Sequence, residues 1–185
     1  MQRPAVTQTS PYHPSMALGG IFLSLFGATW LCGAGYEYAG PNLPLLATIV
    51  IISLLMTAWA VATFRARRRS FTGTGDAAAG KRVRKGFMIV NAVQWSGIGL
   101  AVLLLNLTGH VAWIMPAVIL VVGLHFFPLA KLMRYSGYNL TALALVLVAV
   151  LTFLFGGSGN ASIALTLLAT GAILWLTAVA LLRTV

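Results

Sequence analysis

The chain has 185 residues, of which 59% are hydrophobic and 8% are charged, and its 12 Lys and Arg against 2 Asp and Glu give a net charge of +10. Since a soluble domain carries about a quarter charged residues, this composition excludes a soluble globular domain. The basic residues lie in short runs between apolar segments, so their charge does not indicate nucleic-acid binding, and the single Cys32 excludes an intramolecular disulfide framework and a cysteine-based metal cluster.

Apolar stretches of roughly 20 residues, the length that a helix needs to cross a bilayer, recur along the chain. The pattern predicts an all-α integral membrane protein, a single domain over residues 16–185 that forms a compact bundle of six transmembrane helices. The polar, proline-rich residues 1–15 are predicted to form a disordered leader. The predicted spans are residues 16–36, 43–64, 86–106, 111–130, 140–155 and 161–182, and a basic loop over residues 65–85 joins the second span to the third.

The first predicted span carries a small side chain at every fourth position. This stripe consists of Gly20, Ser24, Ala28 and Cys32. Small side chains let helix backbones approach closely within a membrane, so the stripe is predicted to pack against a helix rather than against lipid. The partner helix belongs either to the same bundle or to another membrane protein, including a second copy of the chain in a homo-oligomer.

The loop between the second and third spans is strongly basic at both ends. Its Lys and Arg are Arg65, Arg67, Arg68, Arg69, Lys81, Arg82, Arg84 and Lys85. They are predicted to contact anionic lipid headgroups, which attract each basic residue near the surface by about 1 kcal/mol. The alternative is that this loop is a regulatory arm or a docking site for a soluble partner.

The distribution of Lys and Arg predicts the orientation, because short cytoplasmic loops carry an excess of these residues. With six spans and the N-terminus inside, all basic clusters face the cytoplasm and the three outer turns contain no Lys or Arg. Both termini are then cytoplasmic, and the predicted location is the cell inner membrane.

Polar side chains within the spans mark the one place where a binding site is predicted, because such groups are costly in lipid and tend to face the interior of a bundle. His125 and Asn91 each lie six residues from the nearest basic residue, which places both about 9 Å inside the inner surface. Gln94 shares a helix face with Asn91, and Trp95 adjoins it. Since a short turn joins the third and fourth spans, His125 is predicted to contact this face.

Two prolines are predicted to interrupt the fourth span, because proline lacks the N–H that would bond the carbonyl four residues earlier. Pro128 thereby frees the carbonyl of Leu124 beside His125, and Pro116 does the same nearer the outer surface. A helix interrupted twice can kink, and a kink can open a cavity or act as a hinge. The alternative is purely structural: His125 only bonds an amide of the third span, and the prolines shape packing.

Residues typical of catalytic or metal sites are scarce. Glu37 and Asp76 are the only acids, and they lie in different parts of the chain, so no carboxylate pair exists for general acid–base catalysis. The histidines are scattered along the sequence, which predicts no metal site. No cofactor is predicted, and an enzyme is disfavoured.

Residues 123–135, GLHFFPLAKLMRY, resemble a segment of small uncharacterised bacterial multi-pass membrane proteins. The resemblance is confined to this stretch. It implies a bacterial inner membrane and a special role for His125, and it implies no activity.

Three classes of function fit these observations. The first is a small-solute permease or channel whose polar vestibule lies in the cytoplasmic half, at His125, Asn91 and Gln94. The second is a non-catalytic accessory or assembly protein that binds other membrane proteins through the stripe of the first span. The third is a membrane enzyme that acts on lipid. The polar cluster favours the first class, whereas the small size and the scarcity of buried charge favour the second.

Overall fold

The computed structural model describes residues 15–70, 77–156 and 159–184, with their side chains over residues 19–66, 81–156 and 159–184. Its helices are α1 (Ser15–Ala39), α2 (Leu43–Ser70), α3 (Ala77–Leu107), α4 (Ile114–Met133), α5 (Gly137–Phe155) and α6 (Asn160–Thr184), with one 3₁₀ turn, η1 (Val111–Trp113), before α4. No strand occurs in these ranges. All six α-helices are long and apolar enough to cross a membrane, which confirms the predicted all-helical class with six candidate spans. Residues 1–14 of the predicted leader lie outside the described residues.

The turn between α1 and α2 shows how local chemistry ends one helix and starts the next. Gly40 adopts a positive φ of 63°, and its N–H donates to the carbonyl of Tyr36 at 2.8 Å, which closes the last turn of α1. The side-chain oxygen of Asn42 then accepts the N–H of Leu45 at 3.0 Å and caps the start of α2. This short connection makes α1 and α2 antiparallel neighbours.

α2 and α3 extend furthest beyond the predicted spans. Residues 65–70 continue α2 and residues 77–85 begin α3, so the predicted basic loop over residues 65–85 is corrected to helix at both ends. The physical reason is that alanine, arginine and lysine favour the helix whether or not lipid surrounds them. Residues 71–76, in the middle of the predicted loop, lie outside the described residues.

The helices are arranged in the order α2, α1, α6, α5, α4, α3, because each packs mainly against its neighbours in this series. α2 and α3 stand at its two ends and have one main neighbour each, α1 and α4. Burial follows this order, since 50% of the α6 span is buried, against 17% for α2 and 6% for α3. The main apolar core lies among α1, α4, α5 and α6, and α2 and α3 leave most of their surface open to lipid or to another protein.

The backbone carbonyl of Ser24 joins three helices. It accepts hydrogen bonds of 3.0 Å from Ser53 Oγ on α2 and from Trp175 Nε1 on α6. Ser24 is fully buried, and its own hydroxyl donates to the carbonyl of Gly20 at 2.7 Å. Because hydrocarbon offers no acceptor for a buried donor, these bonds favour one register of α1 against α2 and α6.

Glycines allow α1 and α6 to approach closely. A Cβ added to Gly171 would lie 2.6 Å from Leu31 Cγ and 2.9 Å from the backbone oxygen of Gly27. A Cβ added to Gly27 would collide with the indole of Trp175. A larger side chain at either position would therefore push the two helices apart.

The predicted stripe of small residues lies only partly in this interface. Gly20 and Ser24 are buried, whereas Ala28 and Cys32 are half-buried. A step of four residues turns a helix by about 40° more than one full turn, so the stripe drifts away from α6 along α1. The buried positions further along α1 are Gly27, Leu31, Ala34 and Gly35.

The remaining interfaces combine small side chains with threonine pairs. The hydroxyls of Thr141 and Thr177 lie 2.8 Å apart, and a second contact of 3.2 Å joins Thr152 to Thr166, so that α5 and α6 are hydrogen-bonded towards both ends. α4 meets α5 at Gly123, where an added Cβ would lie 3.1 Å from the side chain of Leu145. These contacts connect the α1–α2–α6 part of the bundle to the α3–α4–α5 part.

The described Lys and Arg gather at one end of the bundle. They occur where α2, α4 and α6 end and where α3 begins: Arg65, Lys81, Arg82, Arg84, Lys85, Lys131, Arg134 and Arg183. The side chains of Arg67, Arg68 and Arg69 are outside the described part. At the opposite end, the described turns carry no Lys or Arg. The asymmetry of charge expected from the sequence is thus built into the antiparallel packing of the helices.

Candidate functional site

α3 and α4 are antiparallel neighbours, and two glycines of α3 define their register. A Cβ on Gly86 would lie 2.8 Å from Leu132 Cδ1, and a Cβ on Gly97 would lie 3.2 Å from Val121 Cγ1. The two contacts are separated by the same number of residues on both helices. α3 and α4 therefore run side by side from the basic end of the bundle towards its middle.

This register brings Gln94 and His125 to the same level. His125 follows Val121 by one turn on the α4 face that meets α3, and Gln94 precedes Gly97 by one turn on α3. Gln94 exposes 7% of its surface, and His125 is half-buried. Among the described residues, no hydrogen bond joins the two side chains, so the predicted contact is limited to a shared level on neighbouring helices.

His125 bonds within its own helix. Its Nδ1 lies 2.8 Å from the carbonyl oxygen of Val122. Since a carbonyl can only accept, Nδ1 carries the proton in this bond, and a neutral ring then has its lone pair on Nε2. The ring also stacks obliquely against Phe126, with centroids 4.5 Å apart. Nε2 is therefore the ring atom that remains available as an acceptor.

The two predicted amides differ in their bonding. Asn91 Nδ2 donates to the carbonyl of Phe87 at 2.9 Å, one turn earlier in α3. Gln94 has no hydrogen-bond partner within the described part of the chain, although it is among the buried polar residues. Asn91 is thus satisfied by its own helix, whereas Gln94 is the amide whose hydrogen-bonding capacity is unused.

Trp95 does not share the environment of Gln94. It exposes 57% of its surface, and its ring centroid lies 6.4 Å from that of Phe26 on α1. One residue turns a helix by about 100°, so Trp95 points away from the α4 side. Its position contributes to the contact between α3 and α1 at the edge of the bundle.

The two prolines have different effects. Pro128 lies inside α4 and is exposed, so the missing N–H is on the outer side of a helix that continues to Met133. The prediction that Pro116 also interrupts the span is wrong, because α4 begins at Ile114 and Pro116 lies in its first turn. The first N–H groups of a helix have no helical acceptor, so proline is tolerated there. Pro128 therefore removes one backbone hydrogen bond from the fourth helix, which continues through it.

Several polar residues that matter structurally were not singled out from the sequence. Ser53, Trp175 and the threonine pairs of α5 and α6 bond across helices. Thr57, one turn after Ser53, has a buried hydroxyl without a partner in the described part of the chain. Serine and threonine recur within the apolar spans, and this recurrence is the sequence signal. It does not tell which hydroxyl bonds its own helix and which bonds a neighbour.

The chemistry available between α3 and α4 is that of neutral hydrogen bonding. The described residues contain no group of three or more His, Cys, Asp or Glu side chains that could hold a metal ion. Glu37, the acid within the described ranges, lies near the end of α1 that is opposite the basic residues. Gln94 offers two donors and an acceptor, and Nε2 of His125 offers an acceptor.

Comparison of the chain with protein-family models, with curated proteins and with solved structures finds no match. The resemblance of residues 123–135 to small bacterial membrane proteins therefore stays a prediction.

Proposed function

We propose that the protein is a small-solute permease or channel of a bacterial inner membrane, with a polar vestibule between α3 and α4 in the half of the bundle that carries the basic residues. The observation that supports this proposal is Gln94, which exposes only 7% of its surface and has no hydrogen-bond partner among the described residues. Its amide atoms keep some accessible surface, since Thr57 Oγ1 is the buried side-chain polar atom without a partner in the described ranges, and an amide in apolar surroundings lacks the hydrogen bonds that water would give it. A chain that keeps such a group at this depth gains if water or a solute completes its hydrogen bonds.

The chemistry of the vestibule favours an uncharged solute. The described residues at the level of Gln94 and His125 include no acid or base other than the imidazole itself, and an ion in a low-dielectric site needs a compensating charge. A molecule with hydroxyl or amide groups would accept from the Gln94 amide and donate to Nε2 of His125. Water, polyols and urea-like compounds have this hydrogen-bonding pattern.

Replacement of Gln94 by leucine tests this proposal. We expect Gln94→Leu to fold and to melt at the same or a higher temperature in detergent, because the substitution replaces a polar side chain that makes no hydrogen bond to the described part of the protein. We expect the permeability of proteoliposomes to water, glycerol or urea, measured by stopped-flow light scattering, to fall to that of empty vesicles. His125→Phe should likewise fold and lose permeability, because it keeps a ring at this position and removes the acceptor at Nε2.

Asn106→Leu is the matched control. Asn106 is an exposed amide of the same helix, and its Nδ2 donates to the carbonyl of Val102 at 2.7 Å, so its loss should leave permeability unchanged. Wild-type vesicles no more permeable than empty ones would contradict the proposal. A Gln94→Leu protein that melts at a clearly lower temperature would show instead that the amide is a structural element.

A non-catalytic accessory or assembly role is the second candidate, and a different observation favours it. α3 is buried over only 6% of its span and α2 over 17%, and each has a single main neighbour in the bundle. Two helices at the ends of the series are thus available to another membrane protein or to a second copy of the chain. This role would be favoured if substitution of outward-facing residues of α3 abolished oligomers while neither the wild type nor the variants made vesicles permeable.

The proposed orientation places the basic end of the bundle and both termini in the cytoplasm. The support is the excess of Lys and Arg at one end, which in inner-membrane proteins is the cytoplasmic one. In a Cys32→Ser background, we expect Gly159→Cys to react with an impermeant thiol reagent in intact cells. Arg84→Cys should react only after the cells are permeabilised. Labelling of position 84 and not of 159 in intact cells would reverse the orientation.

A further inference from the structure

The register of α3 and α4 brings basic residues from two helices to one corner of the bundle. Gly86, in the third turn of α3, lies against Leu132, so this part of α3 is beside the end of α4. Four exposed cations are found here, and we call them the basic corner: Arg82 and Lys85 on α3, with Lys131 and Arg134 at the end of α4. Cations from separate segments are thus held together by helix packing.

The basic corner has no acidic partner in the described part of the chain. Glu37 is the acidic residue within the described ranges. It lies near the far end of α1, at the end of the bundle opposite the basic corner. No ion pair with a carboxylate therefore neutralises these cations within the described ranges. Their mutual repulsion is relieved when an anion binds between them.

Arg134 occupies a backbone position that favours glycine. Its φ is 54° and its ψ is 37°, and it is the one non-glycine residue with positive φ in the described ranges. The N–H of the next residue, Tyr135, donates to the carbonyl of Ala130 at 3.1 Å, which closes the helix in the manner usual for a C-terminal glycine. An arginine side chain is strained here, and strain of this kind is often kept where a side chain has a task.

Apolar surface continues directly from the basic corner into the membrane. Met88, one turn beyond Lys85 on α3, exposes 61% of its surface, and Leu140, in the first turn of α5, exposes 72%. Tyr135 follows Arg134, and its ring packs edge-on against Tyr138 of α5 with centroids 5.1 Å apart. Tyrosines are typical of the headgroup level of a bilayer. Cations beside a tyrosine and above exposed aliphatic side chains match the two parts of a phospholipid.

We infer that the basic corner is a binding site for the phosphate headgroup of an anionic phospholipid such as phosphatidylglycerol, with Arg134 as its central donor. The acyl chains lie along the exposed side chains of α3 and α5. Arginine binds phosphate through two parallel N–H donors, and Arg82, Lys85 and Lys131 add positive charge around it. This site is separate from the vestibule between α3 and α4, and its existence does not depend on the solute proposed there.

The substitution Arg134→Gly tests this inference because glycine removes the charge and also relieves the backbone. In a neutral detergent without lipid, we expect Arg134→Gly to melt at the same or a higher temperature than the wild type. When phosphatidylglycerol is titrated into the detergent, we expect the wild type to be stabilised and Arg134→Gly to need about fivefold more lipid for half of the shift. Arg134→Lys, which keeps the charge, should lie between the two.

Controls separate a specific site from general attraction and from free phosphate. Arg183→Gln removes one exposed cation from the same end of the bundle but outside the basic corner, so its lipid titration should match the wild type. Phosphatidylcholine and inorganic phosphate at millimolar concentration should give no comparable shift. If Arg183→Gln weakens the stabilisation by phosphatidylglycerol as much as Arg134→Gly does, the effect is a general attraction between charges and not a specific site. If inorganic phosphate stabilises the wild type as much as the lipid does, the ligand is a soluble anion. An Arg134→Gly protein that responds to lipid like the wild type would also overturn the inference.

Discussion

Replacing Gly171 with leucine is expected to lower the melting temperature of the protein in detergent by roughly 10 °C or to prevent its folding. The first added atom would lie 2.6 Å from Leu31 Cγ and 2.9 Å from the backbone oxygen of Gly27. A flexible side chain can move away from such a clash, whereas a helix backbone can do so only if the whole helix shifts. Overpacking of this kind costs about 3 kcal/mol, and it would act on the interface that buries α6. Thermal unfolding followed by circular dichroism or tryptophan fluorescence measures the effect.

Gly99 is the matched control for Gly171. It is also a helical glycine of a candidate span, but an added Cβ would find no atom within 4 Å. Gly99→Leu should therefore change the melting temperature by no more than about 2 °C. The alanine pair is sharper still, because Gly99→Ala should stabilise the helix slightly while Gly171→Ala should destabilise the protein. Equal effects at the two positions would mean that α1 and α6 are not in close contact.

Replacing Ser24 with leucine is expected to be the second most damaging change. Ser24 is fully buried, and its carbonyl accepts the side-chain bonds of Ser53 and Trp175 from two other helices. A leucine side chain would force α2 or α6 away from α1, so that packing and both of these bonds would be lost together. We expect a loss of roughly 3 kcal/mol or more in unfolding free energy. The fluorescence of Trp175 should change with it, because the indole N–H would lose its acceptor.

Two variants isolate the cause of the Ser24 effect. Ser24→Ala keeps the backbone carbonyl and removes only a hydroxyl that bonds Gly20 in the same helix, so it should be nearly neutral. Ser96→Leu adds the same bulk at an exposed serine of α3, and it should also be tolerated. A Ser24→Leu protein with the stability of the wild type would show that this stripe of α1 faces lipid.

The sequence predicted the helices well because each span is a local property. Apolar length sets whether a segment enters the bilayer, and turns such as Gly40 to Asn42 carry their own signals. The predictions that the structure corrects concern segments whose conformation is not determined by the surrounding lipid. α2 and α3 continue as helices into the basic segment, and Pro116 lies in a first turn because the chain opens α4 with the short 3₁₀ turn η1.

The sequence predicted how deep the candidate site lies in the membrane, but it did not predict the hydrogen bonds of the site. Counting residues from the basic end placed His125 level with Asn91 and put Gln94 one turn deeper, whereas the contacts of Gly86 and Gly97 bring His125 level with Gln94, so the depth was predicted to within one turn. The hydrogen bonds depend on which of several acceptors each side chain reaches, and counting residues along the sequence does not rank these acceptors. His125 bonds the carbonyl of Val122 and Asn91 bonds its own helix, since a backbone oxygen one turn away is always within reach.

By itself, the sequence determined that six segments are candidate spans and that the basic residues would gather at one end of the bundle, because hydrophobic length and charge act on each segment independently of its neighbours. The tertiary structure alone decided the order α2, α1, α6, α5, α4, α3, the use of the Ser24 carbonyl as a shared acceptor, and the lack of a partner for the Gln94 amide among the described residues. The physical reason is that lipid is as apolar as the helices, so hydrophobicity does not select partners within the bilayer. Close backbone approach and hydrogen bonds between particular side chains make that selection.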